Sequence, residues 1–275
     1  MTPSSPQPHL AGIFLHPIKS LDPAAVSEAR IGPNGGLELD RVWALHSPDG
    51  RLITGKRTPA VHFLRAAYAP DFSSVTLSVP HDRRALSPAT FAFPGDTHGA
   101  AAWFTRYFEM SVTVRYAREG FPDDGLAPGP TIVSTASLEA VCSWFPEQLF
   151  DGTLPNLAQA RRRFRTTLEL AGVPAFWEDQ LFTAEENYPR RFRIGEVSFE
   201  GTNPCARCPV PPRNPETAEE LPAFQKHFSA LRQKTLPASS PAPRFDHFYR
   251  LATNTRVPGT ESGKLLRLGD PVTLL

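Results

Sequence analysis

Four consecutive residues carry the most distinctive chemistry in the chain: Cys205-Ala206-Arg207-Cys208, set between Asn203-Pro204 and the proline-rich run from Pro209 to Thr217. Two thiols beside a guanidinium could hold a soft metal or a sulfur atom, since the thiolate is the ligating and nucleophilic form. The third cysteine, Cys142, falls in a helix-like segment with Leu138, Val141 and Phe145, a spacing that predicts a buried face. A structural zinc site wants four nitrogen or sulfur ligands in paired half-sites. No second C-x-x-C accompanies this one, and the nearest histidine, His227, lies in another apparent helix. A thioredoxin-like redox pair would open a helix after a strand, whereas Pro204, Pro209, Pro211 and Pro212 predict an ordered loop. Two reduced thiols packed in such a loop are the plain structural alternative.

The densest basic cluster is Arg161, Arg162, Arg163 and Arg165, with only Phe164 among them. Nucleic-acid binding would call for interleaved aromatics and a wider basic face, so the cluster reads as phosphate-binding or solvated. Net charge is +1, which gives no global field for nucleic acid or membrane. The nucleophile elbow, the P-loop and the His-Glu-x-x-His zinc motif are all missing from the sequence. His247, flanked by Phe245, Phe248 and Tyr249, reads as a packed histidine.

The elements that must position these residues are mostly strands. Thirty prolines among 275 residues, spread along the chain, disfavour long helices and predict short strands joined by ordered loops. Period-two alternation picks out Val75, Leu77 and Val79, then Val112, Val114 and Tyr116, then Phe192 with Ile194 and Val197 with Phe199 about Gly195. Three helices are expected: one capped by Thr97, one capped by Ser137 and carrying Cys142, and one from about Glu219 to Lys234. Leu236 to Pro243 reads as a mobile loop. The stretch from Phe121 to Pro130 reads as a boundary dividing domains at 8–122 and 123–275. The first eight residues have neither the basic nor the apolar region of a secretory signal. No apolar run approaches the ~18 residues of a membrane span. With an odd number of cysteines, a reducing compartment and hence the cytoplasm is expected.

Several pieces, weak singly, combine in a specific order. They are His16-Pro17-Ile18-Lys19-Ser20-Leu21, Gly36-Leu37-Glu38-Leu39-Asp40-Arg41-Val42-Trp43, Thr54-Gly55-Lys56-Arg57, Ser134-Thr135-Ala136-Ser137-Leu138, Arg163-Phe164-Arg165, Phe176-Trp177-Glu178-Asp179, the cysteine loop, and Leu268-Gly269-Asp270-Pro271-Val272. Together they resemble the MOSC family, the molybdenum cofactor sulfurase C-terminal domain preceded by its N-terminal β-barrel domain, and in particular the amidoxime-reducing molybdoenzymes. The resemblance implies a mostly β fold, a β-barrel MOSC domain behind an N-terminal β-barrel-like domain, with a few α-helices. It implies molybdenum cofactor (molybdopterin) in the cleft between them. Cys208 matches the metal-ligating cysteine that directly follows an arginine, here Arg207, whose charge would lower the thiol's pKa. Lys19, Ser20, Arg41 and Arg165 match positions that grip the pterin phosphate, a task suited to a lysine point charge and planar arginine forks. Thr166 and Thr167 depart from the family's usual proline and asparagine, as does Leu126 to Pro130 from its hydroxyl-bearing run.

The implied activity is two-electron reduction of small N-hydroxylated compounds, with metal chemistry carrying the redox step. The chain ends at Leu275, directly after the Gly269-Asp270-Pro271-Val272 strand. Electrons are therefore expected from a separate redox protein. Two other readings compete: a sulfur carrier or cofactor-handling protein with a Cys208 persulfide, and a binding module that kept the fold without the cofactor.

Overall fold

The computed structural model describes residues 7–80, 86–122, 127–149 and 154–275. In chain order the elements are β1 (His9–Leu15), β2 (Ala24–Val26), β3 (Glu28–Arg30), β4 (Trp43–His46), β5 (Arg65–Tyr68), β6 (Ser74–Ser78), β7 (Ala89–Ala92), α1 (Thr97–Phe108), β8 (Thr113–Tyr116), β9 (Ile132–Ser134), α2 (Thr135–Trp144), α3 (Pro146–Leu149), α4 (Leu157–Phe164), β10 (Leu168–Ala171), β11 (Arg190–Ile194), β12 (Val197–Ala206), α5 (Phe224–Lys234), β13 (Arg250–Arg256), β14 (Leu265–Arg267) and β15 (Val272–Leu274). The fold is mostly β with a few helices, as the sequence predicts.

Eight strands form one sheet in the order β15-β11-β12-β13-β9-β10-β1-β2. All its pairs are antiparallel except β9 with β10. The sheet closes on itself where β1 meets the segment leading into β15, with Leu10 N donating to Asp270 O at 2.9 Å, Gly269 N to Leu10 O at 2.8 Å and a His9–Pro271 bridge between, so it curls into a barrel. Two strands from the first thirty residues, β1 and β2, are thus built into a sheet whose other members come from the second half of the chain. The third, β3, pairs with β14. One core joins Leu10, Ile13 and Ile31 to Phe192, Phe199 and Leu266. Gly201 is required in β12, because a Cβ there would collide with the backbone carbonyl of Leu181.

A second core is built by residues 18–114. The β5-β6-β7 sheet and the β4-β8 pair pack Val75, Leu77 and Trp43 against Trp103, Phe104 and Tyr107 of α1. The predicted alternation at Val75, Leu77 and Val79 is buried, whereas Tyr116 at the end of β8 is exposed. A third core packs α2, α4 and α5 together around Phe145, Phe164, Phe224 and Phe228 and holds the buried Cys142.

The structure moves several local expectations. Asp96, not Thr97, caps α1 by accepting from the Gly99 amide at 2.7 Å, and Ser134, not Ser137, caps α2. The better-placed acceptor for the free amides is a carboxylate one residue earlier in the first case and a hydroxyl three residues earlier in the second. The last long helix starts at Phe224 rather than Glu219, because Pro222 intervenes and Ala223 takes a left-handed conformation. Leu236 to Pro243 is not an unanchored loop: Ser240 is buried and donates to Asp179 at 2.6 Å, fixing the chain across the core. His247 is exposed and lies 3.7 Å from Asp246, since the turn before β13 turns it outward from the flanking aromatics. Asp123 to Leu126, in the predicted boundary, lie outside the described residues.

Candidate active site

A single cleft of about 760 Å³ collects the residues singled out from sequence. Lys19, Ser20, Arg41, Arg165, Arg207 and Cys208 all line it, and so does Cys205. Its lining holds nine lysines and arginines against three carboxylates among the described residues, while the whole chain carries only +1. The cleft is therefore a concentrated positive region in a nearly neutral protein, which favours anions.

One wall comes from the first 65 residues. The Pro17-Ile18-Lys19-Ser20 turn is laced to the Arg41-Val42-Trp43 segment by backbone bonds: Arg41 N to His16 O at 2.9 Å, Trp43 N to Pro17 O at 3.0 Å and Lys19 N to Trp43 O at 2.8 Å. Two sequence-distant cations are thereby brought side by side. Lys19 is buried and donates to Phe121 O at 2.8 Å. Arg41 pairs with Asp40, which also accepts the backbone amide of His16 at 2.7 Å. Burial pushes the Asp40 carboxyl up, but Arg41 and the His16 bonds more than offset this and hold it below its ordinary value. Behind it His16 is fully buried, and burial together with the charge of Arg165 lowers it to about 4, so it is neutral at physiological pH.

Ser20 (φ 75°), Arg41 (φ 54°) and Arg165 (φ 52°) all hold left-handed backbone. Non-glycine residues pay about 1 to 3 kcal/mol for such conformations, which cluster at binding and catalytic sites. Three of the four residues that match the phosphate grip share this strain on one cleft.

The other wall carries the sulfur. Cys205 lies at the end of β12, where the ladder to β13 shifts register between Pro204 and Ala206, and Cys208 follows it in the loop. The predicted loop thus begins one thiol later than the prolines suggest, because Pro204 sits at a bulge where its missing N–H breaks no ladder bond. Both thiols are partly exposed and reduced. The Arg207 guanidinium donates to Cys205 Sγ at 3.1 Å and to Phe164 O, and stacks 5.7 Å over the Phe164 ring. The hydrogen bond that Arg207 donates to sulfur goes to Cys205, because the strand end turns that thiol toward the guanidinium.

The basic cluster of α4 separates by role. Arg161 makes a two-pronged bond to Glu169 at 2.7 and 2.8 Å. Arg163 is 2% exposed and donates to Pro211 O and Arg213 O, at 2.9 and 2.8 Å, clamping the loop that follows Cys208. Burial brings its pKa down to about 10. Arg162 bonds Pro215 O and Glu216. These three are tied to protein acceptors, so the cluster is not simply the solvated face that the composition allowed. Arg165 alone is turned across the cleft by the left-handed end of α4, donating to Leu21 O at 2.7 Å.

Sequence reading gave no role to Lys56, Arg57, Asn203 or Asn254, which also line the cleft. The first two were quoted only as part of the Thr54-Gly55-Lys56-Arg57 motif, and Asn203 only as a flank of the cysteine loop. The departure at Thr167 also takes a definite form. Thr167 lines the cleft, and its buried hydroxyl has no hydrogen-bond partner among the described residues.

Comparison with known proteins agrees with this architecture. Residues 7–111 match the MOSC N-terminal beta barrel domain and residues 131–273 match the MOSC domain. The chain is similar to mitochondrial amidoxime-reducing component 1 of Xenopus laevis, 23% identical over 297 residues that cover 94% of this chain and 80% of that protein. It is likewise similar to mitochondrial amidoxime reducing component 2 of Bos taurus, 23% identical over 304 residues, covering 94% and 81%. No helix among the described residues is long and apolar enough to cross a membrane. With the MOSC domain spanning more than half its length behind the N-terminal barrel domain, the chain belongs to the MOSC family.

Proposed function

We propose that this protein binds molybdenum cofactor in the cleft and reduces small N-hydroxylated compounds, using electrons from a separate electron-transfer protein. The observation that carries the reading is one cleft with thiols on one wall and a surplus of cations opposite. Among the described residues no three His, Cys, Asp or Glu side chains gather as a metal-binding group. A metal at this cleft would thus take most of its donors from a non-protein group, as a dithiolene cofactor provides. The buried, unpartnered hydroxyl of Thr167 and the unpartnered Nε of Arg207 are polar atoms that a bound cofactor would satisfy. The residues present therefore fit a group with a soft metal at one end and a phosphate at the other.

When bound, the cofactor supplies the two-electron centre that converts an N–OH group, with two protons, to N–H and water. In this reading Cys208 is the soft protein ligand, and Lys19, Ser20, Arg41 and Arg165 neutralise the phosphate. Arg207 orders the cysteine strand end through Cys205 and Phe164. The arginine clamps on Pro211, Arg213 and Pro215 keep the Cys208 loop from drifting off the cleft. The division at 8–122 and 123–275 is kept, with β1, β2 and β3 lent to the second unit, and the cytoplasm is the compartment assigned.

Molybdenum and pterin analysis of protein purified from a cofactor-competent host fed molybdate tests this directly. Stoichiometric molybdenum and pterin, with reduction of benzamidoxime by a chemical or protein donor, is the expected result. Protein free of both, carrying sulfane sulfur on Cys208, would transfer the assignment to the sulfur-carrier reading.

A further inference from the structure

Seven of the nine cations lining the cleft are tied to the protein: Lys19 to Phe121 O, Arg41 to Asp40, Arg65 to Pro215 O, Arg162 to Glu216, Arg163 to Pro211 O, Arg165 to Leu21 O and Arg207 to Phe164 O. Lys56 and Arg57 are different. Both are exposed, and neither side chain has a hydrogen bond or ion pair to any described residue. A pair of solvated surface cations would ordinarily mean nothing. Their mounting sets these two apart.

The turn that carries them is closed by Arg57 N and Thr58 N, both donating to Thr54 O, at 3.0 and 2.8 Å. Gly55 O is gripped from two sides, by the Arg213 guanidinium at 2.5 Å and by the His62 ring at 3.2 Å. A Cβ at Gly55 would stand 3.1 Å from that ring, a tight approach that the glycine avoids. Arg213 belongs to the loop after Cys208 and is itself held there through its carbonyl by Arg163. One chain of contacts therefore fixes the position of Lys56 and Arg57 relative to the thiols, on the same cleft. Two uncompensated cations on a fixed turn can meet an anion with only their side-chain rotamers left to order.

Building on the reading that N-hydroxylated compounds are reduced here, we infer that Lys56 and Arg57 form an anion subsite for the substrate, selecting N-hydroxylated compounds that carry a carboxylate or phosphate remote from the N–O group. Arg57 offers a planar fork and Lys56 a point charge, a combination that takes either anion.

The test uses full-length protein purified from a cofactor-competent host. Calorimetric binding is measured for benzamidoxime, 4-carboxybenzamidoxime and the corresponding 4-phosphate ester, with wild type and with the Lys56→Ala/Arg57→Ala and Lys56→Gln/Arg57→Gln variants. Wild type should bind at least one anionic compound about tenfold more tightly than the neutral one, and both variants should erase that preference while leaving the neutral affinity unchanged. The preference should shrink as salt is raised from about 50 to about 500 mM. Preference in one arm alone identifies the anion. Equal affinities for all three compounds, a preference that survives in the variants, or no binding of either anion overturns the subsite. Turnover of neutral benzamidoxime, read separately, reports on the reductase assignment, so tight anion binding without turnover would remove that assignment and leave the subsite standing.

Discussion

The two walls of the cleft use the same kind of residue to different ends. On the wall contributed by residues 19–65, cations are delivered by turns, two of them through strained left-handed backbone at Ser20 and Arg41, and Lys56 and Arg57 carry charge that no described residue answers. On the wall contributed by residues 162–215, Arg162, Arg163 and Arg207 each hold two or more protein acceptors, and what they hold in place is the strand end bearing Cys205 and the loop that carries Cys208 and runs on to Glu216. The first wall is organised to receive negative charge, and the second to keep a sulfur atom still. Arginine counts alone would have ranked the second wall as the anion site. The hydrogen-bond partners reverse that ranking.

The largest effect should come from the sulfur wall. Cys208→Ser should bring amidoxime reduction to background, because a hydroxyl is a poor ligand for a soft metal. Cys205→Ser removes only the sulfur that meets Arg207, and should stay within about tenfold of wild type, as for residues that support a ligand rather than supply it. Equal loss in both variants would show that the two thiols act as a unit, and the sulfur wall would need two ligands where one is assigned here.

How much of this was readable in the chain divides along the same line. The period-two runs at Val75 to Val79 and Phe192 to Phe199 gave the strands, since alternation is a local property that tertiary packing only confirms. The motif residues Lys19, Ser20, Arg41, Arg165 and Cys208 gave candidates that the fold gathers on one cleft. Partner choice was not legible. Whether Arg163 is solvated or clamps Pro211 depends on a loop 48 residues away, and whether Arg207 meets Cys205 or Cys208 depends on where β12 ends. The caps slipped for a related reason: Asp96 and Thr97 both suit a helix start, and only the geometry of the first turn selects between them. That β1 and β2 would join a barrel made by the far half of the chain has no local signature at all.

Proton linkage separates the cleft from the core behind it, with opposite signs. His16, beneath the receptive wall, is lowered from 6.5 to about 4 chiefly by burial. The unfolded chain therefore takes up a proton that the folded one refuses, and stability should be full above pH 6.5 and fall as pH drops toward 4. Glu178, in the core that supports α2, is raised from 4.5 to about 7 by burial and by the neighbouring Asp179 charge, against a bond from Ser137. Here the folded state keeps its proton, so stability should be full below pH 4.5 and fall as pH rises toward 7. Each shift corresponds to about 3 kcal/mol over its window. Denaturant titrations from pH 4 to 8 should show His16→Asn flattening the acid limb alone and Glu178→Gln the neutral limb alone. One substitution flattening both limbs would show that the two regions unfold on a shared proton, against the contrast drawn here.

A smaller effect falls on the phosphate grip, which Arg41 of the receptive wall shares with Arg165 at the end of α4. Arg41→Ala and Arg165→Ala should each yield folded protein that retains less pterin, by about one to two orders of magnitude in affinity, if each charged contact contributes about 1.5 to 3 kcal/mol. Pterin released by oxidation and read by fluorescence, beside a thermal melt, gives the measurement. Wild-type pterin in both folded variants would reduce these arginines to braces for Asp40 and Leu21 O, and the difference between the walls would largely vanish.

The smallest effect concerns Thr167, where the chain departs from its family's asparagine. The substitution could mean a lost cofactor contact, and the structure offers the opposite possibility. Thr167 borders the cleft, and its buried hydroxyl bonds none of the described residues, while its amide is already satisfied by Thr131. An unpaired buried hydroxyl is costly to keep, so a bound group that accepts or donates there would recover that cost. Thr167→Val keeps the shape and removes only the hydroxyl. If the hydroxyl serves the protein alone, Val should stabilise the fold slightly and leave pterin content untouched. If it serves the cofactor, the variant should melt at the same temperature or higher when empty, yet hold its pterin about fivefold more weakly, the equivalent of roughly 1 kcal/mol for one neutral hydrogen bond. Opposite signs in the melt and the pterin measurement would mark Thr167 as a working replacement for the asparagine, and a neutral result in both would leave the charged residues of the receptive wall to hold the cofactor without it.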